Sequence, residues 1–200
     1  MNHVYERQAR AKGYYAVCGV DEAGVGPLAG DVYAAAVILP SVDDCQALSL
    51  DGLDDSKKLT PKKRLALSQR IQGQAIAWSV STASVQEIDQ FNIRGATRLA
   101  MQRAIEALQP SADYAIIDGN YNFELPLPYQ AIVKGDTLSL SIAAASILAK
   151  VARDIYMHKL HEVYPVYGFD RHKGYPTKAH YTALQAYGAS PAHRRSFRLS

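Results

Sequence analysis

Cysteine is scarce: there are two among 200 residues, Cys18 in an apolar run and Cys45 in a polar one. A pair so placed is no disulfide framework and fits a reducing compartment. No apolar run approaches the ~18 residues that a helical membrane span needs. The first residues, MNHVYERQARAKG, are charged and lack the apolar stretch of a signal peptide. The expectation is a cytoplasmic monomer with no membrane partner. A G-x-x-x-x-G-K-[ST] phosphate loop is absent. Gly24, Gly26 and Ala29 do match G-x-G-x-x-[GA], but that fingerprint must open a helix. Here nine residues separate Gly30 from Pro40, and Val32, Tyr33, Val37 and Ile38 among them favour a strand. That is too short for a crossover helix, which argues against a dinucleotide fold.

What is present suits one compact domain: 48% of the residues are hydrophobic. The formal net charge is +3, and the positive residues are grouped. Lys57, Lys58, Lys62, Lys63 and Arg64 form one cluster, and Arg171, Lys173, Lys178, Arg194, Arg195 and Arg198 a second. Such clusters suit a phosphate-bearing partner, or a solvated surface.

Residues 14–20 read as a strand, and 31–39 as a second, stopped by Pro40. Thr60-Pro61 opens a helix that runs to about Gln72. Residues 75–81 read as a third strand, and Ser84 with Glu87 is a capping box. Ile93, Ala96, Ala100, Met101, Ala104, Ile105 and Leu108 share one face of a helix that Pro110 ends. Residues 114–117 and 129–133 are further strands, 141–164 a long helix, and 177–187 a last one. The pattern predicts an α/β fold with a mixed sheet layered by helices. Its first three strands are antiparallel, and the later ones join in parallel.

Three of these strands run into acids: Asp21 and Glu22, then Asp118, then Asp136. Taken singly, Asp118-Gly119 reads as a turn and Asp136 as a loop acid. Taken together at strand ends, they form a carboxylate set that repels itself unless divalent cations sit among it. Oxygen donors suit Mg²⁺ or Mn²⁺ rather than zinc. Two such ions activate water and steady a leaving oxygen at phosphorus. Beside the first pair, the loop Gly24-Val25-Gly26 brings bare backbone close to a guest, and such a loop can sense a ribose 2′-hydroxyl.

These motifs resemble the type 2 ribonucleases H, the ribonuclease HII family. The matching stretches are GVDEAGVGPLAG (19–30), DSKKLT (55–60), IIDGN (116–120), VKGD (133–136), SIAAASILAKVARD (141–154), YGFDRHKGYPT (167–177) and HRRSF (193–197). The resemblance implies a ribonuclease H-like five-stranded mixed sheet flanked by helices. Residues 1–200 would form a single domain, with about 165–200 as a small helical substrate-binding extension. Asp21, Glu22, Asp118 and Asp136 would be the catalytic, Mg²⁺- or Mn²⁺-binding carboxylates. Substrate would meet Gly24, Val25, Gly26, Ser56, Lys57, Lys58 and Tyr175, the tyrosine ring covering a sugar. The implied reaction cuts the phosphodiester 5′ of a ribonucleotide and leaves a 3′-hydroxyl. Its substrates would be RNA–DNA hybrids and duplex DNA with embedded ribonucleotides, and it would initiate ribonucleotide removal. His172 and His193 would lie near nucleic acid.

One position departs from the pattern. The family loop usually reads Gly-Arg-Gly, and Val25 stands where its arginine would pair with a phosphate. Weaker binding or slower cleavage is expected, with the chemistry intact. The rival readings are another two-metal nuclease on the same sheet and a non-catalytic nucleic-acid binder. A transition-metal site on Asp154, His158 and His161 is a third, with their i, i+4 and i, i+3 spacing set against an ordinary solvated helix face.

Overall fold

The computed structural model describes residues 3–40 and 59–200. Cys45, Ser56, Lys57 and Lys58 lie outside the described residues. Five strands, β1 (Val17–Ala23), β2 (Val32–Ile38), β3 (Ala77–Ala83), β4 (Tyr114–Asp118) and β5 (Tyr129–Ile132), form one sheet in the order β3-β2-β1-β4-β5. β1 with β2 and β2 with β3 are antiparallel, whereas β1 with β4 and β4 with β5 are parallel. The predicted mixed α/β architecture is the observed one.

The central strand β2 explains how the helices sit. Successive side chains of a strand point to opposite faces. Ala34 and Ala36 join one apolar cluster with Ala96, Ala100 and Met101 of α3 (Val85–Glu106). Ala35 and Val37 join another with Ala144, Ala145 and Leu148 of α5 (Leu140–Val163). Small residues on both sides let both helices lie close. The approach is tightest at Gly19, where a Cβ would stand 2.1 Å from the Ser141 carbonyl carbon. α2 (Pro61–Gln74) starts as expected, with Thr60 Oγ1 accepting the Lys63 N–H at 3.3 Å.

The structure differs from the sequence reading in three places. The capping-box helix and the 93–108 helix are continuous through α3, with a break at Asn92 (φ 59). Asn92 Oδ1 accepts the N–H of Arg94 at 2.9 Å and of Gly95 at 3.1 Å, so it caps the second half. The charged N-terminus forms α1 (Val4–Ala11), whose buried Glu6 accepts the Ser139 hydroxyl at 2.8 Å. Gly135-Asp136 starts a short helix, α4 (Gly135–Leu138), rather than lying in a loop.

The C-terminal part holds a 3-10 turn (Pro165–Tyr167), α6 (Phe169–His172) and α7 (Lys178–Tyr187) around buried Tyr167 and Phe169. It is stitched to the segment after β1. The Leu28 N–H donates to the Gly174 carbonyl and the Gly30 N–H to the Ala192 carbonyl, each at 2.8 Å. That seam fixes the 172–177 loop beside the end of β1. It also corrects the second basic cluster: Arg194 is fully buried, so it belongs to no phosphate-facing surface.

Candidate active site

The acids converge by register. β1 and β4 run parallel with Val20 opposite Ile117, so Asp21 and Asp118 emerge side by side. Asp21 and Glu22 lie inside β1 rather than after it, paired with Ala35 and Ala34 of β2. The sequence reading ended that strand one residue before them. The pairing holds their backbone rigid and lets alternation separate their side chains. Asp21 is 5% exposed, and its Oδ1 accepts the Glu22 N–H at 2.7 Å. Glu22 Oε1 accepts the Tyr121 hydroxyl at 3.1 Å.

Asp118 faces the start of α4. Its Oδ1 accepts the Gly135 N–H at 2.6 Å and the Asp136 N–H at 3.4 Å. Asp136 itself is buried next to that junction. One cleft is lined by Asp21, Glu22, Asp118, the loop Gly24–Gly26, Ser146, Lys150 and Tyr175. Asp136 is not among the residues that line this cleft.

Burial, then the charges of Glu22 and Asp118, hold the Asp21 carboxyl well above the usual carboxylate range. Hydrogen bonds from the Ser146 hydroxyl and the Glu22 N–H oppose this. Such a cluster is short of positive charge, and its all-oxygen donor set fits a hard divalent cation. Among the described residues no three His, Cys, Asp or Glu side chains already enclose a single point. A cation such as Mg²⁺ takes one or two carboxylates and completes its shell with water and phosphate.

Tyr175 is 44% exposed, and its ring edge lies 3.7 Å from where a Gly26 Cβ would be. Glycine loop and tyrosine are thus neighbours across the mouth of the cleft. Val25 is half-buried and packs against the apolar cluster on the α3 side of the sheet.

Sequence reasoning missed Ser146, Lys150 and Tyr121. Ser146 and Lys150 are four residues apart on α5, a spacing that puts them on one face and could have been read. Lys150 Nζ is 2.7 Å from Asp154 Oδ1, and Arg64 reaches the same carboxylate at 3.4 Å. Tyr121 sits beyond a strand end and carries no local signal.

Asp154, His158 and His161 form no group able to hold a metal ion among the described residues. His158 meets Lys173 Nζ at 3.1 Å, and His161 pairs with Asp170 at 3.3 Å. His193 is buried and His172 half-buried, both bonded within the C-terminal part rather than presented to a ligand.

Comparison with known proteins bears on the family and the fold. A protein described as ribonuclease HII from Dechloromonas aromatica is 59% identical over 181 residues, 90% of each chain. The crystal structure of ribonuclease H2 from Pyrococcus horikoshii OT3 superposes with a TM-score of 0.76 at 25% identity, covering 92% of this chain and 94% of that one. The fold also matches Bst-RNase HIII, solved in complex with Mn²⁺, with a TM-score of 0.69 at 17% identity, covering 92% of this chain and 67% of that one. The family model for ribonuclease HII matches residues 18–200, and with that span and that identity the chain belongs to the ribonuclease HII family of metal-dependent endoribonucleases.

Proposed function

We propose that this enzyme hydrolyses the phosphodiester 5′ of a ribonucleotide, in RNA–DNA hybrids and in duplex DNA with embedded ribonucleotides. It leaves a 3′-hydroxyl and thereby starts ribonucleotide removal from DNA. The observation that carries the reading is that Asp21, Glu22 and Asp118 share one cleft with the Gly24–Gly26 loop and Tyr175. A carboxylate cluster alone would serve any two-metal nuclease. A backbone loop and a sugar-covering ring beside it supply a reason to care about ribose.

Asp21, Glu22, Asp118 and Asp136 would hold two Mg²⁺ or Mn²⁺ ions. When bound, such ions supply water activation and stabilisation of the leaving oxygen. The chain's own residues do the rest. Ser146 and Tyr121 orient Asp21 and Glu22 through their hydroxyls. The Gly24–Gly26 loop meets the 2′-hydroxyl, itself both donor and acceptor, with backbone groups. Tyr175 covers the neighbouring sugar, and the 165–200 segment serves as the substrate-binding extension that carries it. Ser56, Lys57 and Lys58 contact the phosphate backbone. The enzyme acts as a monomer in this reading. No described helix is long and apolar enough to cross a membrane, in keeping with a cytoplasmic enzyme.

Val25 removes a phosphate-pairing guanidinium. A charge-assisted hydrogen bond is worth about 1.5–3 kcal/mol, so cleavage is slower by one to two decades than with arginine there.

The test is incision of a duplex carrying one ribonucleotide, beside an all-DNA duplex and a hybrid, with Mg²⁺ or EDTA. Metal-dependent incision 5′ of the ribonucleotide, lost in Asp21→Asn and raised in Val25→Arg, is expected. Equal cutting of the all-DNA duplex makes the enzyme a nuclease indifferent to ribose. Binding without cleavage by both the parent and Val25→Arg makes it a binder.

A further inference from the structure

Two guanidiniums are buried where no substrate can reach them. Arg153 is 1% exposed and Arg194 fully buried, and the reaction as described uses neither. A buried charge is costly, and their mutual repulsion adds to the cost. Burial, and for Arg194 next the Arg153 charge, pulls both below the usual arginine range. Something must justify them, and their partners indicate what.

Arg194 Nη2 donates to the Gly24 carbonyl at 2.6 Å, Nη1 to the Val25 carbonyl at 3.1 Å and Nε to the Gly30 carbonyl at 2.8 Å. Arg153 donates to the carbonyls of Ala29, Asp31 and Lys173 at 3.1–3.2 Å. Together the two side chains pin the underside of the glycine loop and tie it to the loop that carries Tyr175. Gly24 has φ +101, and a Cβ there would stand 2.1 Å from Arg153 Nε, so the glycine is needed to seat the guanidinium.

The peptides on either side of Val25 are trans. In a trans peptide the N–H points opposite to the C=O of the same unit. With the Gly24 and Val25 carbonyls turned inward to Arg194, the N–H groups of Val25 and Gly26 turn away from it. Neither N–H has an acceptor among the described residues. Two consecutive donors therefore flank the carboxylate cleft, held there by a single buried fork.

We propose that Arg194 is the positioning residue of the glycine loop, and that it presents the Val25 and Gly26 N–H groups as a fixed donor pair to the ribonucleotide, with Arg153 locking the pair to the Tyr175 loop. The proposal rests on the reading of this cleft as a ribonucleotide-cleaving site. It makes ribose selectivity depend on a side chain that never touches substrate. Arg194→Lys keeps a charge but cannot span three carbonyls, since an ammonium lacks the planar fork.

The experiment compares wild type, Arg194→Lys and Arg153→Lys below their melting temperatures. It measures kcat and KM on the single-ribonucleotide duplex and on the hybrid, with Mn²⁺ affinity by calorimetry. For Arg194→Lys, kcat/KM on the single ribonucleotide is expected to fall about tenfold or more while Mn²⁺ affinity stays within about twofold, because the loop's hydrogen bonds are lost and the carboxylates are not. Selectivity for the ribonucleotide over all-DNA falls with it. A purely structural role lowers the melting temperature and leaves kcat/KM and selectivity of the folded fraction unchanged; that result overturns the proposal.

If the variants do not fold, ¹H–¹⁵N spectra of wild type in EDTA decide. The Val25 and Gly26 amide signals should move on adding a ribonucleotide-containing duplex and stay put with all-DNA. No response from either amide in an enzyme that does cleave overturns it. Wild type that cuts all-DNA equally well overturns instead the functional reading on which the proposal rests.

Discussion

Lowering the pH from 7.5 to 5 is expected to cost the fold about 2 kcal/mol through His193 alone. His193 is 1% exposed and sits in a one-way relay of hydrogen bonds. Its Nδ1 accepts the Ser190 N–H at 3.0 Å, so the neutral ring carries its proton on Nε2. That proton goes to His180 Nε2 at 3.0 Å. His180 then carries its own proton on Nδ1 and donates to the Tyr175 carbonyl at 3.0 Å. His172 stacks on His180 with ring centres 4.5 Å apart. It accepts the Gly174 N–H at 3.2 Å and faces the Tyr167 carbonyl at 2.7 Å. A second proton on His193 or His180 would point at a donor. Burial, then the neighbouring His180, pulls His193 from the ordinary 6.5 down to about 4. His180 and His172 are lowered as well, burial again leading.

A histidine with a depressed folded pKa contributes fully above 6.5 and loses its contribution as the pH falls through about 4. The carboxylates do not mimic this. Glu87, held at about 2 chiefly by Arg103, loses its support only below its ordinary 4.5. Asp21 and Asp31 are raised and favour the fold in acid. Through His193 the urea midpoint falls by about 1 M between the two pH values, for a slope of about 2 kcal/mol/M, and the raised carboxylates offset part of that fall. Long-range ¹H–¹⁵N spectra should show His193 protonated on Nε2 and neutral at pH 5. A His193 that titrates near 6.5 refutes the reasoning.

Asp21→Asn should raise the melting temperature of the metal-free protein at pH 7.5. A folded pKa raised by burial costs stability once the pH passes it, and the amide removes that cost. The same variant should lose the melting-temperature gain from Mn²⁺ and at least about 10³-fold in cleavage, the several kcal/mol that metal-assisted charge stabilisation is worth. Tyr121→Phe deletes the hydroxyl that holds Glu22 Oε1. Mn²⁺ affinity by calorimetry should fall about tenfold, the usual cost of losing a partner that orients a ligand. Gly19→Ala should destabilise by about 3 kcal/mol or prevent folding, since its Cβ would meet Ser141 backbone, which cannot swing aside. Circular dichroism melts check this, and a melting temperature like the wild type's would mean that α5 is free to shift.

Much of the fold is legible because its signals are local. The α3 face from Ala96 to Ile105 is buried as its spacing predicts, and Thr60, Ser84 and Thr177 cap their helices. Helix α1 is not legible, since what holds its Glu6 is a pair of serines more than 130 residues away. The cleft follows the same rule. Asp21, Glu22 and Asp118 stand out because acids at the ends of apolar strands are anomalous wherever they occur. Ser146, Lys150 and Tyr121 are ordinary residues until α5 and the segment after β4 fold against β1.

Charge counting fails most sharply at Arg194. By composition it is one more cation in a basic tail, grouped with Arg195 and Arg198 as a surface for phosphate. Arg195 and Arg198 are indeed exposed, yet Arg194 is fully buried and spends its donors on three carbonyls. Sequence reports which side chains can be charged; only packing says whether the charge faces a partner or holds a backbone. The distinction has a measurable consequence in salt. Replacing an exposed phosphate contact lowers the slope of log affinity against log salt by about one, whereas replacing a buried positioning arginine weakens binding and leaves that slope unchanged. Arg195→Gln and Arg194→Lys, titrated with the same duplex at several salt concentrations, should therefore part company in slope even where their affinities agree. Equal slopes would place both guanidiniums in the same electrostatic role and contradict the burial that separates them.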